Sequence, residues 1–197
     1  MITKNDIILC GVGGQGILSV AAIIGHAAVA NNLYLKQAET HGMSQRGGDV
    51  QSHLRISKDP IHSDLIPRGK ADLILSSEPL ESLRYLPFLG PKGYLVTSVN
   101  AFVNIPNYPP MEEVLKRIEA YPHHVTIDAE AIAKEAGVAR AANVVMLGAA
   151  SPFLMTDIRS LEQGIEALFG RKGASVVDAN LKALHAGREK AQTFVKA

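Results

Sequence analysis

With 197 residues, 47% of them hydrophobic and 20% charged, the chain is long enough for one domain with a substantial core. A formal net charge of +1, 5% aromatics and no tryptophan exclude a strongly basic or base-stacking nucleic-acid binder. The single cysteine, Cys10, excludes an internal disulfide and by itself makes neither a zinc site nor an iron–sulfur site.

The polar opening MITKND, followed by an apolar run that glycines break, has no signal-peptide pattern. Residues 7–10 read as a short buried strand. GVGGQG follows at 11–16, and then residues 17–31, where Ala, Ile and Val surround most of a helix and predict burial on more than one face. Ser19, Gly25 and His26 inside it mark a core helix rather than a membrane span. Residues 33–36 are a second short strand, so the order strand, glycine loop, helix, strand opens a βαβ unit. The polar block ETHGMSQRGG occupies 39–48 as a loop. Residues 49–56 then alternate, with Val50, Ser52, Leu54 and Ile56 on one face and Asp49, Gln51, His53 and Arg55 on the other. This predicts an antiparallel or edge strand with one core face and one face for solvent or a partner.

ADLILS at 71–76 is another buried strand, residues 78–85 form a short helix with Pro79 in its first turn, and GYLVT at 93–97 is a further strand. Residues 100–110 carry three prolines and are irregular. Met111, Val114, Leu115, Ile118 and Tyr121 recur at helical spacing; residues 124–127 are a strand; Asp128 is placed to N-cap a helix that Gly137 ends. Residues 143–150 are almost wholly apolar and are limited by Pro152. Ser160 and Gln163 form a capping-box pattern ahead of Leu161, Ile165, Leu168 and Phe169, and a last helix starts near Asp178. The alternation predicts a three-layer α/β fold: a mostly parallel sheet flanked by helices, opened by a Rossmann-like βαβ unit with a glycine-rich loop. Residues 1–197 read as a single domain.

GVGGQG satisfies G-x-G-x-x-G after a strand and before a helix, so Gly11, Gly13, Gly14, Gln15 and Gly16 are candidates for binding a phosphate at the helix N-terminus. The alternative is a tight turn with no ligand. A nicotinamide dinucleotide also needs an acid near the end of the second strand, and the nearest, Glu39, lies in the following block. A phosphate of another ligand such as coenzyme A fits the motif equally well. Within the block, Glu39 and His41 could act as an acid/base pair and Arg46 could clamp a carboxylate or phosphate; the alternative is a polar interface loop. Ser44 lacks a nucleophile elbow, and His53, His62, His123 and His124 lack metal-ligand spacing, so no metal site is expected. No catalytic residue is assigned, and neither a thiamine-binding pattern nor a Walker lysine is present.

Taken together, GVGGQGI and ETHGMSQRGG resemble the gamma-type family of 2-oxoacid:ferredoxin oxidoreductases, and more closely the small subunits of the indolepyruvate type. SHLRI at 52–56, ADLILSSEPLESLR at 71–84 and NVVMLGA at 143–149 extend the likeness over most of the chain. The resemblance implies an enzyme subunit that is inactive alone. The complete enzyme would decarboxylate an aryl pyruvate oxidatively, form an acyl-CoA and reduce ferredoxin in the cytoplasm. Thiamine diphosphate and iron–sulfur clusters would belong to a large partner subunit, with no cofactor bound by this chain alone and neither nucleic acid nor membrane as a partner. Glu39, His41, Met43, Gln45, Arg46, Gly47 and Gly48 match the second family block and are placed by it at the substrate site or the subunit interface. Ser44 stands where the family often has alanine. A stand-alone NAD(P)-dependent oxidoreductase and a noncatalytic partner-binding scaffold are the competing readings.

Overall fold

The structure, a computed structural model, describes residues 3–41 and 47–195. Its centre is a six-stranded sheet. The strands are β1 (Lys4–Val12), β2 (Tyr34–His41), β3 (Asp49–Ser57), β4 (Ala71–Ser76), β5 (Leu89–Ser98) and β6 (His124–Ile127), in spatial order β2-β3-β1-β4-β5-β6. β1, β4, β5 and β6 pair in parallel, whereas β3 is antiparallel to both β1 and β2. The alternation at 49–56 therefore marks an antiparallel strand, but not an edge: β2 is the edge, and β3 fills the space between the two strands of the opening crossover.

Side chains of β1 alternate between two cores. Ile7 and Leu9 join the larger one, with α1 (Ile17–Ala30), α4 (Ala129–Glu135), α5 (Ala142–Ala150), α6 (Ile158–Phe169) and α7 (Ala174–Val195). Ile8 and Cys10 join the smaller one, under α2 (Pro79–Arg84) and α3 (Met111–Glu119). That is the three-layer arrangement the alternation of elements predicts. Among the described residues no helix is long and apolar enough to cross a membrane.

Several boundaries differ from the sequence reading, for identifiable reasons. β2 runs on to His41 because β3 pairs with it along its length, so Glu39 and the His41 backbone are strand rather than loop. The apolar run after Asn143 is a helix packed on several sides, a case that periodicity cannot separate from a buried strand. α6 is capped by Asp157, which accepts from the Ser160 N–H at 2.8 Å and the Ser160 hydroxyl at 2.9 Å, so Ser160 sits inside the first turn instead of capping it. The last helix starts at Ala174, four residues before the expected Asp178.

The polar face of β3, expected to meet solvent or a partner, is covered by this chain. Arg55 donates to Asp6 at 2.8 Å and to the Ser63 and Leu65 carbonyls. His53 is buried, accepts the Ile66 N–H on Nδ1 at 3.0 Å and meets Phe88 edge-on. Burial, reinforced by the Arg55 guanidinium and only partly opposed by Asp64, holds the His53 imidazole below its ordinary value.

α5 and α7 cross with almost no space between their backbones. A Cβ on Gly148 would stand 2.0 Å from the Leu184 carbonyl oxygen, and one on Gly187 would stand 1.9 Å from that of Val145. Gly187→Ala should therefore cost about 3 kcal/mol, the upper end of overpacking losses, seen as a lower urea midpoint. A depressed histidine pKa means that the neutral ring is the form the fold favours. Its contribution should be complete above the ordinary value of about 6.5 and fall away as pH drops through the lowered folded value. The urea midpoint of the wild type should fall below pH 6.5 more steeply than that of His53→Gln.

Candidate anion-binding site

The carboxyl ends of the four parallel strands lie along one edge of the sheet. β1 is the strand from which the connections diverge, with β2 to one side and β4 to the other, and such switch points are where open α/β sheets bind ligands. A pocket of about 180 Å³ lies there. Gly14 and Gln15 line it after β1, Ser77 after β4, Ser98 and Asn100 after β5, and Ala129 and Glu130 after β6; Arg140, Ala142, Asn143 and Met146 close it from the start of α5.

Two helices begin at this pocket without a side-chain cap: α1 behind Gly16 and α5 behind Ala141. The first amides of a helix have no partner within it, and they carry partial positive charge. Arg140 adds a full charge beside them. Gly16 adopts φ 76°, a conformation that favours glycine, and its carbonyl accepts from Asn143 Nδ2 at 3.2 Å, which ties the two helix starts together. The arrangement suits a compact anion of phosphate or diphosphate type.

The two family motifs meet through the backbone. Gly13 N–H donates to the Gly48 carbonyl at 2.8 Å, and Gly47 N–H donates to the Gly13 carbonyl at 3.3 Å. Of the predicted glycine-loop residues, Gly14 and Gln15 line the pocket. Gln15 is also a strut: its Oε1 accepts from Val12 N–H at 2.8 Å, and its Nε2 donates to the Ser77 carbonyl at 3.3 Å. Glu39 is exposed on the edge strand, accepts from Gln37 Nε2 and does not line the pocket. The His41 side chain, Met43, Gln45 and Arg46 lie outside the described residues. With β3 between β1 and β2, the end of β2 stands two strand spacings, about 9–10 Å, from β1. A dinucleotide fold has β2 directly beside β1, so the acid it needs has no position here.

Arg140, Asn100 and Glu130 belong to no motif, and Asn143, which opens the NVVMLGA segment of the family likeness, was not legible as a site residue either. Their one sequence signal is weak: small polar residues, Ser76-Ser77 and Thr97-Ser98, end two buried strands where a ligand edge would be.

A second polar cluster lies beneath the same edge. The Tyr85 hydroxyl donates to both Asp49 carboxylate oxygens, at 2.7 and 2.9 Å, and Arg84 grips Glu81 at 2.7 and 3.2 Å. Burial raises the Glu81 carboxyl above its ordinary value; Arg84 opposes the rise and Asp49 adds to it. Burial and Asp49 together push the Tyr85 phenol up. The Cys10 thiol is fully buried and is also raised far above its ordinary value, which makes it an inert core group. Among the described residues no group of three or more His, Cys, Asp or Glu side chains is placed to hold a metal ion.

The fold is thus a three-layer α/β sheet whose switch-point pocket is bordered by a glycine loop, two uncapped helix starts and an arginine. Residues 6–190 match the pyruvate ferredoxin/flavodoxin oxidoreductase family, and the chain belongs to it. It is 38% identical over 189 residues to "Indolepyruvate oxidoreductase subunit IorB" of Methanothermobacter thermautotrophicus, covering 92% of this chain and 95% of that one. It is 35% identical over 195 residues to the protein of the same name in Archaeoglobus fulgidus, covering 95% and 96%. A solved structure, 2-oxoglutarate:ferredoxin oxidoreductase from Magnetococcus marinus with 2-oxoglutarate, coenzyme A and succinyl-CoA bound, has the same fold, with a TM-score of 0.78 at 22% identity. All of this chain aligns there, but it spans only 32% of that longer chain.

The Asn143–Gly16 contact generates a test by double substitution. Asn143→Ala should cost about 1 kcal/mol in urea denaturation, the usual worth of one hydrogen bond. Gly16→Ala should cost more, because its Cβ would lie 2.5 Å from Asn143 Nδ2 at a φ that disfavours alanine. The double variant should lose less than the sum, because removing the amide removes the clash.

Proposed function

We propose that this chain is the small subunit of an indolepyruvate (aryl-2-oxoacid):ferredoxin oxidoreductase, a cytoplasmic complex that converts aryl pyruvates to acyl-CoA and passes electrons to ferredoxin. The observation that carries this reading is 35–38% identity, over nearly the full length of both partners, to chains named as indolepyruvate oxidoreductase subunits. Thiamine diphosphate and the iron–sulfur clusters are assigned to the large partner subunit. A cluster needs several thiolates, and this chain has one cysteine.

The role assigned to this chain is on the coenzyme A side of the reaction. Coenzyme A carries a diphosphate, and the pocket is lined by Arg140 and Asn143 beside two helix starts that no side chain caps. Gly11, Gly13, Gly14 and Gly16 shape the loop so that backbone rather than side chain meets the anion. The bound coenzyme A of the solved neighbour is consistent with that class of ligand. Glu39, His41, Met43, Gln45, Arg46, Gly47 and Gly48 are proposed to border the substrate site or the large subunit. The inserted β3 disfavours the NAD(P) reading.

The test is turnover of the complex assembled from both subunits, with ferredoxin reduction followed against indolepyruvate and coenzyme A. Arg140→Ala should raise the KM for coenzyme A about 10-fold or more, as expected for one charge-assisted hydrogen bond, with the mass of the complex unchanged. Coenzyme A should also slow amide exchange at residues 11–16 of the complex. An unchanged KM and unprotected glycine-loop amides would leave only the noncatalytic scaffold.

A further inference from the structure

Residues 100–110 form neither helix nor strand, yet they are held firmly. Asn100 is fixed by Ser98 Oγ, whose hydrogen bond to its Oδ1 is 2.6 Å, and it donates to Asp128 at 2.9 Å. Phe102 N–H donates to Glu78 Oε1 at 3.3 Å, and the Tyr108 hydroxyl donates to the same oxygen. Glu78 is itself 1% exposed, and its other carboxylate oxygen caps α2 through the Glu81 N–H at 2.8 Å. Asn104 Nδ2 donates to the Gly47 carbonyl at 2.6 Å. A buried carboxylate and three asparagine or serine contacts thus fix one short arm.

Most of what the arm presents outward is apolar, with the polar Asn104 among it. Val103 is 70% exposed, Phe102 43% and Ile105 38%. No charged residue occurs between Lys92 and Glu112. Scattered exposed apolar residues are ordinary, but an adjacent set on a pinned, uncharged arm has the composition of an interface centre, where charge is depleted and aromatic anchors are enriched. Pinning also removes the ordering cost that a loose loop would bring to association.

We propose that the arm at residues 100–105 is the surface by which this chain docks onto the large catalytic subunit, through an uncharged apolar recess on that subunit. The inference rests on the small-subunit reading given above. One observation favours this occupant. Asn100 is both the root of the arm and part of the pocket wall, so a chain seated on the arm lies beside the anion site. A catalytic subunit seated on the arm would bring its own groups to the edge where the pocket opens.

The experiment measures dissociation of the two-subunit complex on dilution, by mass photometry, for wild type, Val103→Asp and Val29→Asp. Val29 is comparably exposed, at 63%, but sits at the far end of α1, about 20 Å along the helix from the glycine loop. Val103→Asp should weaken assembly at least about 10-fold, with the melting temperature of the isolated chain unchanged, whereas Val29→Asp should assemble like wild type. Hydrogen exchange of the wild type, which needs no substitution, should show new protection at residues 101–105 on assembly. Equal assembly of Val103→Asp and wild type, or no protection of those amides, overturns the docking surface while leaving the small-subunit reading intact. A wild-type chain that does not assemble with the large subunit defeats both. An isolated chain that dimerises, and that Val103→Asp returns to a monomer, assigns the arm to a second copy and overturns the proposal.

Discussion

β3 pairs with β1 over the whole length of both strands, from Lys4 opposite Ser57 to Val12 opposite Asp49, and pairs with β2 on its other side. That antiparallel insertion fixes the rest of the carboxyl edge. Because β3 begins beside the end of β1, the last residues of the second motif arrive at the first, and Gly47 and Gly48 are tied to Gly13. Because β3 occupies the place next to β1, β2 is displaced to the edge, away from the place beside β1 that a dinucleotide fold gives it. What remains on the other flank is the parallel run β1-β4-β5-β6, with its polar strand ends and two uncapped helix starts.

The register of that insertion is specified by polar groups as well as by the apolar alternation. Asp6 and Arg55 lie opposite one another, with the Asp6 side chain 3% exposed and Arg55 19%. Burial alone would raise the Asp6 carboxyl; hydrogen bonds and charge from Arg55 and Lys4 outweigh it and hold the group below the ordinary carboxylate range. A buried pair of this kind adds little net stability, but a one-residue slip would take the Arg55 guanidinium away from the buried Asp6 and leave it only Lys4, which is costly. At the other end of β3, Asp49 meets Tyr85, so the strand is held against α2 by the same layer that carries Glu78 and the 100–110 arm. The pocket, the clasp between motifs and the arm therefore share one foundation.

The strands Ala71–Ser76 and His124–Ile127 and the cap at Asp128 were legible to the residue, because each rests on a local signal: an apolar run between breakers, or a carboxylate three residues before the amide it accepts. The glycine loop was legible as a place for an anion. Its partners were not, because Arg140 and Asn143 are more than 120 residues away in sequence and reach the pocket only through the packing of α5. The polar face of β3 misled in the opposite direction. Gln51, His53 and Arg55 have the pattern of a surface, and only the covering segment around Ser63–Ile66 turns His53 and Arg55 into interior partners.

The sequence by itself determined the α/β class, the opening strand–loop–helix, the irregular uncharged stretch at 100–110 and the family likeness, since these depend on periodicity, turn chemistry and short motifs that act within a few residues. The tertiary structure alone decided the strand order, the burial of the β3 polar face, the identity of the pocket wall and the outward aim of Phe102, Val103 and Ile105. Those outcomes depend on which distant segments compete for one strand edge or one helix start, and that competition is settled by long-range packing and hydrogen-bond satisfaction, to which local sequence is blind.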